Sequence, residues 1–209
     1  IWITVTSHPL YWGWETLVNL PESITSIGND VFVNCPLKFE NNKLVIPSKV
    51  ESIGERAFSD CKSITSIELP EGLKEIKPTA FGNIENISEI VLPSTLEKMA
   101  DCAFCYYNSS KLSKVTFKGT TPPEVIYNTD ADGNYSKPNV EKMQSCQVYV
   151  PASAIEAYKE SEWFKGTYAY DSQSYPGLTV YFNEDNLNAI EWNYWKIGNL
   201  KIIVLKITV

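Results

Sequence analysis

The chain has a single histidine, few basic residues and no long apolar run. Its net charge is −7 and no Lys or Arg cluster occurs, so we expect neither a nucleic-acid partner nor binding to an anionic membrane surface. The longest apolar run, residues 202–205, is strand-sized, whereas a transmembrane helix needs roughly 20 apolar residues. Neither G-x-G-x-x-G nor G-x-x-x-x-G-K is present, so nucleotide binding has no support.

Side chains suited to catalysis are scarce as well. His8 lies in an aromatic segment without a neighbouring nucleophile, which favours a structural role. Glu184 and Asp185 are adjacent, a poor way to hold two carboxylates at the separation a glycosidase needs. Cys102 and Cys105 flank Phe104, but zinc requires four ligands and no second pair supplies them. We predict that the chain is not an enzyme and has no catalytic residue and no cofactor. An enzyme with an unrecognised site is the alternative, and it ranks behind the two binding functions given below.

What the sequence does contain is a repeat. The pairs Leu20-Pro21, Ile46-Pro47, Leu69-Pro70 and Leu92-Pro93 recur at spacings of 26, 23 and 23 residues, and so does a phenylalanine at positions 32, 58, 81 and 104. A unit this short cannot bury its own apolar face, so the copies must stack into a solenoid. A solenoid is mostly surface, which favours binding over chemistry.

Each repeat contains two short extended segments. The I-x-L-P stretch alternates apolar and polar residues, which predicts a strand that the proline ends. L-x-x-I predicts a second strand, and the following A-F fills the interior. Gly28 and Gly54 are predicted at tight turns. Cys35 and Cys61, each three residues after the phenylalanine, predict a ladder of buried thiols, with a disulfide as the alternative.

Residues 46–67 read I-P-S-K-V-E-S-I-G-E-R-A-F-S-D-C-K-S-I-T-S-I. This segment resembles the repeat of BspA-like leucine-rich repeat surface proteins, I-P-x-x-V-x-x-I-G-x-x-A-F-x-x-C-x-x-L-x-x-I. The T-P-P at 121–123, the V-Y-V-P at 148–151 and the Y-K at 158–159 are similar to the usual ending of the family. Residues 124–145 lack the A-F-x-x-C signature, and residues 166–209 match no pattern of the family.

The resemblance implies a leucine-rich repeat solenoid of short parallel strands stacked in a right-handed coil. From the residues themselves we predict a C-terminal helix and a small β cap. We predict an N-terminal cap over residues 1–16, repeats with a closing helix over 17–165, and a β extension over 166–209. Ser153 and Glu156 predict a capping box for the closing helix. Strand-like segments at 178–182, 190–197 and 200–209 predict a β element on the last repeat, or a separately paired edge.

The outward positions of the first strand predict two rows on one face. The valine row is Asn19, Val45, Glu68, Val91, Thr116 and Tyr149, and the lysine row is Leu17, Lys43, Ser66, Glu89, Lys114 and Gln147. Apolar side chains among charged ones are typical of a contact surface. The alternative is strand propensity, since Val, Thr and Tyr suit sheets wherever they are. Our candidate protein-binding residues are Val45, Glu68, Glu89, Val91, Lys114, Thr116 and Tyr149.

Aromatic residues collect near both ends of the chain. Trp12, Trp14, Trp192 and Trp195 are predicted to cover the terminal repeats, or alternatively to stack on sugar rings. The segment 128–139 spaces Asn128, Asp130, Asp132 and Asn134 as in a calcium loop, but Asn139 stands where the bidentate Glu is expected. A polar turn is favoured, and calcium is the alternative; calcium predicts a metal-dependent melting temperature that Asp132→Ala abolishes.

The resemblance implies a secreted or surface-attached bacterial protein that adheres to host matrix proteins or to other cells. We predict a non-enzymatic binding protein at the cell surface with a protein partner, and the alternative is a glycan-binding module, with or without calcium. The chain begins at Ile1 without a Met or a signal sequence, so we expect a mature fragment whose export signal or anchor lies outside it.

Overall fold

The computed structural model describes residues 19–36, 38–100, 102–104, 111–127 and 147–165, and the backbone of residues 180–182, 190–197 and 200–207. Within them the chain alternates between two parallel sheets. One contains β2 (Lys43–Val45), β4 (Ser66–Glu68), β6 (Glu89–Leu92), β8 (Lys114–Phe117) and β10 (Gln147–Val150); the other contains β1 (Ser26–Ile27), β3 (Ser52–Ile53), β5 (Glu75–Ile76), β7 (Lys98–Ala100) and β9 (Glu124–Ile126). Both predicted strands are confirmed for the repeats from β2 to β7, the first repeat contributes only β1, and the fold is a leucine-rich repeat solenoid.

The second sheet is continuous, but the first is divided. β2 pairs with β4, and β6 pairs with β8 and β10, all in parallel register. β4 packs beside β6 without belonging to the same hydrogen-bonded sheet. The prediction of one continuous outward ladder is therefore wrong at this step, and Asn19 lies in no strand.

The C-terminal segment extends the first sheet. β11 (Val180–Phe182) pairs in parallel with β10, and β12 (Ile190–Ile197) and β13 (Leu200–Ile207) follow in antiparallel register. The predicted strands are confirmed within a few residues of their ends. They continue the sheet of the repeats rather than forming a separate element.

Each repeat forms one coil of the solenoid, and the turn that carries A-F, after the second strand, completes the coil. Phe32, Phe58 and Phe81 each donate their backbone N–H to a carbonyl of the next coil, at 2.8–2.9 Å. Their buried rings stack from coil to coil with centroids 5.1–5.6 Å apart, and Phe104 continues the stack. The prediction that A-F fills the interior is confirmed.

Gly54 is required for a different reason from the one predicted. A Cβ on Gly54 would lie 2.4 Å from the backbone carbon of Gly28 and 2.6 Å from the backbone nitrogen of Asn29. The missing side chain thus lets two coils approach, and Gly54 does not have the left-handed backbone that favours glycine in tight turns. Gly72, with a φ of +113°, does have that conformation.

Cys35 and Cys61 are both free cysteines, and the prediction of buried thiols is confirmed for Cys61, whereas Cys35 is half-buried. The buried Cys61 donates its S–H to the carbonyl of Phe32 at 3.1 Å. Burial, followed by the neighbouring Cys35 thiol, raises the pKa of Cys61 to about 12. Cys61 therefore behaves as a small apolar residue rather than a reactive thiol.

Two short helices close the described repeats: α1 (Ile155–Lys159) and α2 (Glu162–Lys165). Turns of 3-10 helix lie at Ala152–Ala154 and Glu40–Asn42. Buried Tyr158 and Trp163 pack on Phe117, with ring centroids 5.1 and 6.3 Å away. Their polar atoms donate to the carbonyls of Gly119 and Pro123. The predicted capping box is wrong, because α1 begins at Ile155 without a side-chain cap.

Candidate functional site

The first sheet places the predicted rows side by side on one outward face, which we call the ladder face. In register, Val45 lies beside Glu68, and Thr116 lies between Val91 and Tyr149. Alternate residues of the same strands, such as Leu44, Ile90 and Val115, point into the core. Because side chains alternate along a strand, burying one set fixes the other on the surface. Leu17 lies outside the described residues.

Two valines of the ladder face are unusually exposed. Val45 is 47% exposed and Val91 is 41% exposed, and they are the exposed large hydrophobic residues of the described part of the chain. Both belong to the valine row, two strands apart. Tyr149 and Thr116 in the same row are half-buried, and Glu68 is exposed.

The charges of the ladder face neutralise one another. Lys43 forms an ion pair with Glu68 on the next strand, and Lys114 pairs with Glu89 at 3.2 Å. All four side chains are well exposed, so each pair contributes at most about 1 kcal/mol to stability. Their effect on the surface is larger: the ladder face carries no net charge from these residues, although the whole chain is acidic.

The valine row carries an aromatic ring on β10, at Tyr149, and the register continues to Tyr181 on β11. The ammonium of Lys114 lies 5.1 Å from the centre of the Tyr149 ring, a cation–π arrangement. The Tyr149 hydroxyl lies 3.5 Å from the amide oxygen of Gln147 on the same strand. Lys114 therefore interacts with both Glu89 and the aromatic ring on β10.

Glu71 lies on the turn after β4, beside the ladder face, and links this turn to the turns of the next two coils. Its carboxylate accepts hydrogen bonds from the backbone N–H and the hydroxyl of Ser94 at 3.0 and 2.9 Å, and from the Lys118 ammonium at 3.1 Å. Partial burial by itself raises the pKa of Glu71, but the hydrogen bonds from Lys118 and Ser94 outweigh it and hold the pKa below its ordinary value. One side chain thus connects three consecutive coils.

We expect the hydrogen bonds of Glu71 to stabilise the fold less in acid. A group whose pKa is lowered by folding contributes stability that is complete above its unfolded pKa, about 4.5, and is lost as the pH falls through the lower folded pKa. Glu71→Gln should lower the melting temperature at pH 7 and reduce its dependence on pH below about 4.5. Glu22→Gln, on an exposed turn, is the control and should leave the acid profile unchanged; equal profiles for both variants would contradict this assignment.

The other predicted sites fall largely outside the described residues. Outside them lie two of the tryptophans, Trp12 and Trp14, and the candidate calcium ligands Asn128, Asp130, Asp132 and Asn134. The register places Trp192 opposite Leu205 and Trp195 opposite Ile202 in the β12–β13 pair. The glycan and calcium interpretations therefore stay predictions. Within the described ranges, no group of three or more His, Cys, Asp or Glu residues is placed to hold a metal ion.

Sequence reasoning missed the ion pairs of the ladder face. The signal was present for one of them: Glu89 and Lys114 hold equivalent positions of neighbouring strands, whereas Lys43 is in register with Ser66 and reaches Glu68 diagonally. Opposite charges in register, such as Glu89 and Lys114, face each other in a parallel ladder, and diagonal neighbours such as Lys43 and Glu68 are still within reach of long side chains.

A family model for the BspA type leucine rich repeat region matches residues 25–129 in six copies. Two solved structures are similar: the pneumococcal vaccine antigen PcpA, at 17% identity and a TM-score of 0.41, and a leucine-rich repeat protein from Bacteroides ovatus ATCC 8483, at 19% and 0.38. The matches cover 66% and 64% of this chain but 37% and 42% of those chains, so the chain spans less than half of their length. No curated protein matches. No helix in the described ranges has the length and apolar character needed to span a membrane.

Proposed function

The chain belongs to the family of BspA-type leucine-rich repeat proteins, and we propose that it is a non-enzymatic surface or secreted protein that adheres to a protein partner through the ladder face. Proteins of this repeat class typically bind other proteins and are typically not enzymes. The solenoid supplies what such binding needs, a long regular surface on a rigid core.

One observation carries this proposal. Val45 and Val91 leave apolar surface in water on the same row of the same face, while the other large apolar side chains of the described repeats are buried or half-buried. Apolar side chains in the middle of a patch, surrounded by paired charges and an aromatic ring, are typical of the centre of a protein interface. The charges around them would fix orientation more than affinity.

The test is a binding screen of the purified chain against arrayed matrix proteins and arrayed glycans, with and without calcium. We expect protein partners, and we expect Val91→Lys to weaken their binding at least about tenfold, because the new ammonium would be desolvated in the interface. Tyr149→Ala should weaken binding by a similar factor through the loss of an aromatic contact. Neither change should move the melting temperature by more than a few degrees, because both side chains point away from the core.

Ser26→Lys is the matched control. It adds the same charge at an exposed position of β1, in the second sheet, and should leave binding unchanged. Protein binding that withstands Val91→Lys would refute the assignment to the ladder face. Binding confined to glycans, and lost in Trp12→Ala or Trp195→Ala, would transfer the function to the aromatic segments.

A further inference from the structure

The step from β4 to β6 is the one step of the first sheet, within the described repeats, at which neighbouring strands are not paired. β4 belongs to a two-stranded sheet with β2, whereas β6 is hydrogen-bonded to β8 in the sheet that continues through β10. Ile67 on β4 and Leu69 just after it are only half-buried. Residues at the equivalent positions of neighbouring coils are buried: Leu44, Ile46, Ile90, Leu92, Val115 and Phe117. The solenoid is therefore less tightly closed at this step than at the others.

The same two coils are continuous on their other sides. In the second sheet β5 pairs with β7 in parallel register, and the N–H of Lys98 donates to the carbonyl of Lys74 at 2.9 Å. At the turn that carries A-F, the N–H of Phe81 donates to the carbonyl of Ala103 at 2.9 Å, and the Phe81 ring stacks on Phe104 with centroids 5.1 Å apart. A movement at this step would therefore widen the first sheet while the other two sides stay in contact.

Side chains link the turns that follow the two unpaired strands. The Glu71 carboxylate accepts hydrogen bonds from the N–H and the hydroxyl of Ser94, which lies one coil further on. The Thr95 hydroxyl accepts a hydrogen bond from the N–H of Gly72 at 2.8 Å and donates to the carbonyl of Leu73 at 2.9 Å. These contacts lie beside the step that lacks backbone pairing, so they hold the two coils together there in its place.

The links before the two strands are longer. The side-chain amide of Asn86 donates to the carbonyl of Lys62 at 3.3 Å, and the Lys62 ammonium lies 3.7 Å from the carboxylate of Glu85. Both contacts are exposed, and exposed ion pairs contribute little to stability. The turn that contains Glu71 therefore contributes most to holding this side of the step closed.

We propose that the solenoid opens at the step between β4 and β6, that the second sheet and the phenylalanine stack act as the hinge, and that Glu71 holds the step closed. Opening increases the separation of Val45 and Val91, because the two valines lie on opposite sides of the step. A partner that contacts both valines therefore binds the closed form and stabilises it. This last consequence rests on the proposed function, whereas the opening itself does not.

Cysteine labelling of the full chain measures the opening. Ile90→Cys places a thiol at a buried position of β6 beside the step, and Val115→Cys places one at the equivalent buried position of β8, which is paired on both sides. Peptide mass spectrometry separates these thiols from the native cysteines, and urea unfolding corrects the rates for differences in global stability. A thiol-specific reagent should label Ile90→Cys at least about tenfold faster than Val115→Cys, because local opening exposes only the former. Equal corrected rates would overturn the proposal.

A second change tests the role of Glu71. Glu71→Ala should accelerate the labelling of Ile90→Cys at least about fivefold and leave the corrected rate of Val115→Cys unchanged, because only the closed step loses hydrogen bonds. Glu51→Ala is the matched control: it removes the same atoms from an exposed carboxylate that pairs with Lys74 at 3.0 Å, at another step of the solenoid. It should change neither rate. Acceleration of Ile90→Cys by both variants alike, or by neither, would show that Glu71 does not hold the step closed.

A partner from the binding screen separates this inference from the proposed function. At saturating concentration it should slow the labelling of Ile90→Cys, because it binds the closed form. If the partner loses affinity in Val91→Lys but leaves the labelling rate unchanged, the proposed function stands and the link between opening and binding fails. If Ile90→Cys is labelled faster than Val115→Cys but no protein depends on the valine row, the opening stands and the proposed function fails.

Discussion

Gly54→Ala should destabilise the repeats severely, by about 3–5 kcal/mol of unfolding free energy. Its Cβ would meet the Gly28 backbone, which cannot rotate away as a side chain can. Overpacking alone costs about 1–3 kcal/mol. The coils must also separate, which strains the bonds from Gly54 N–H to the Ile27 carbonyl and from Asp30 N–H to the Glu55 carbonyl, both 2.8 Å long and each worth about 1 kcal/mol.

Urea unfolding followed by circular dichroism measures this change. Gly28→Ala is the control, because a Cβ there meets only the Val31 side chain at 3.4 Å, an ordinary contact. The two glycines hold equivalent places in the repeat, so sequence alone predicts similar effects. Equal unfolding midpoints for the two variants would show that the close approach of the coils at Gly54 does not limit stability.

Phe58→Ala should cost about 3–5 kcal/mol, the usual range for a fully buried phenylalanine. Its ring is inaccessible to solvent and stacks on Phe32 at 5.1 Å and on Phe81 at 5.6 Å. Truncation opens a gap in the middle of the stack. The backbone hydrogen bond from Phe58 to Ala80 holds the coils in place, so the gap cannot close by collapse.

Phe104→Ala is the matched comparison and should cost roughly half as much. Phe104 is half-buried and stacks on Phe81 at the end of the described stack. Because both changes remove the same atoms, the difference between their unfolding free energies in urea measures burial and stacking. A larger loss for Phe104→Ala than for Phe58→Ala would place the stability of the solenoid in its C-terminal coils instead.

The solenoid could be predicted because its determinants are local and repeated. Each I-x-L-P and L-x-x-I segment carries its own alternation, and the recurring phenylalanine marks the interior of every coil. The confirmed elements, β2 to β8 and the phenylalanine stack, all come from this pattern. Orientation on the ladder face followed from the same alternation, which is why Val45 and Val91 were placed outward correctly.

Features that depend on contacts between coils were harder to predict from the sequence. The role of Gly54 depends on how near the next backbone lies, and the break between β4 and β6 depends on packing across a whole repeat. β9 was missed because residues 124–145 lack the A-F-x-x-C signature, although the second sheet continues through them to Ile126. The capping box failed because the 3-10 turn places the helix start two residues beyond Ser153.

The central claim is that a protein partner lies on the valine row, and methyl NMR of the chain with a partner from the screen tests it most directly. The account predicts that the methyl signals of Val45 and Val91 shift or broaden on binding, while those of buried Val50 and Val148 stay in place. Unchanged Val45 and Val91 signals, with shifts confined to other methyl groups, would show that the partner binds elsewhere and would contradict the account.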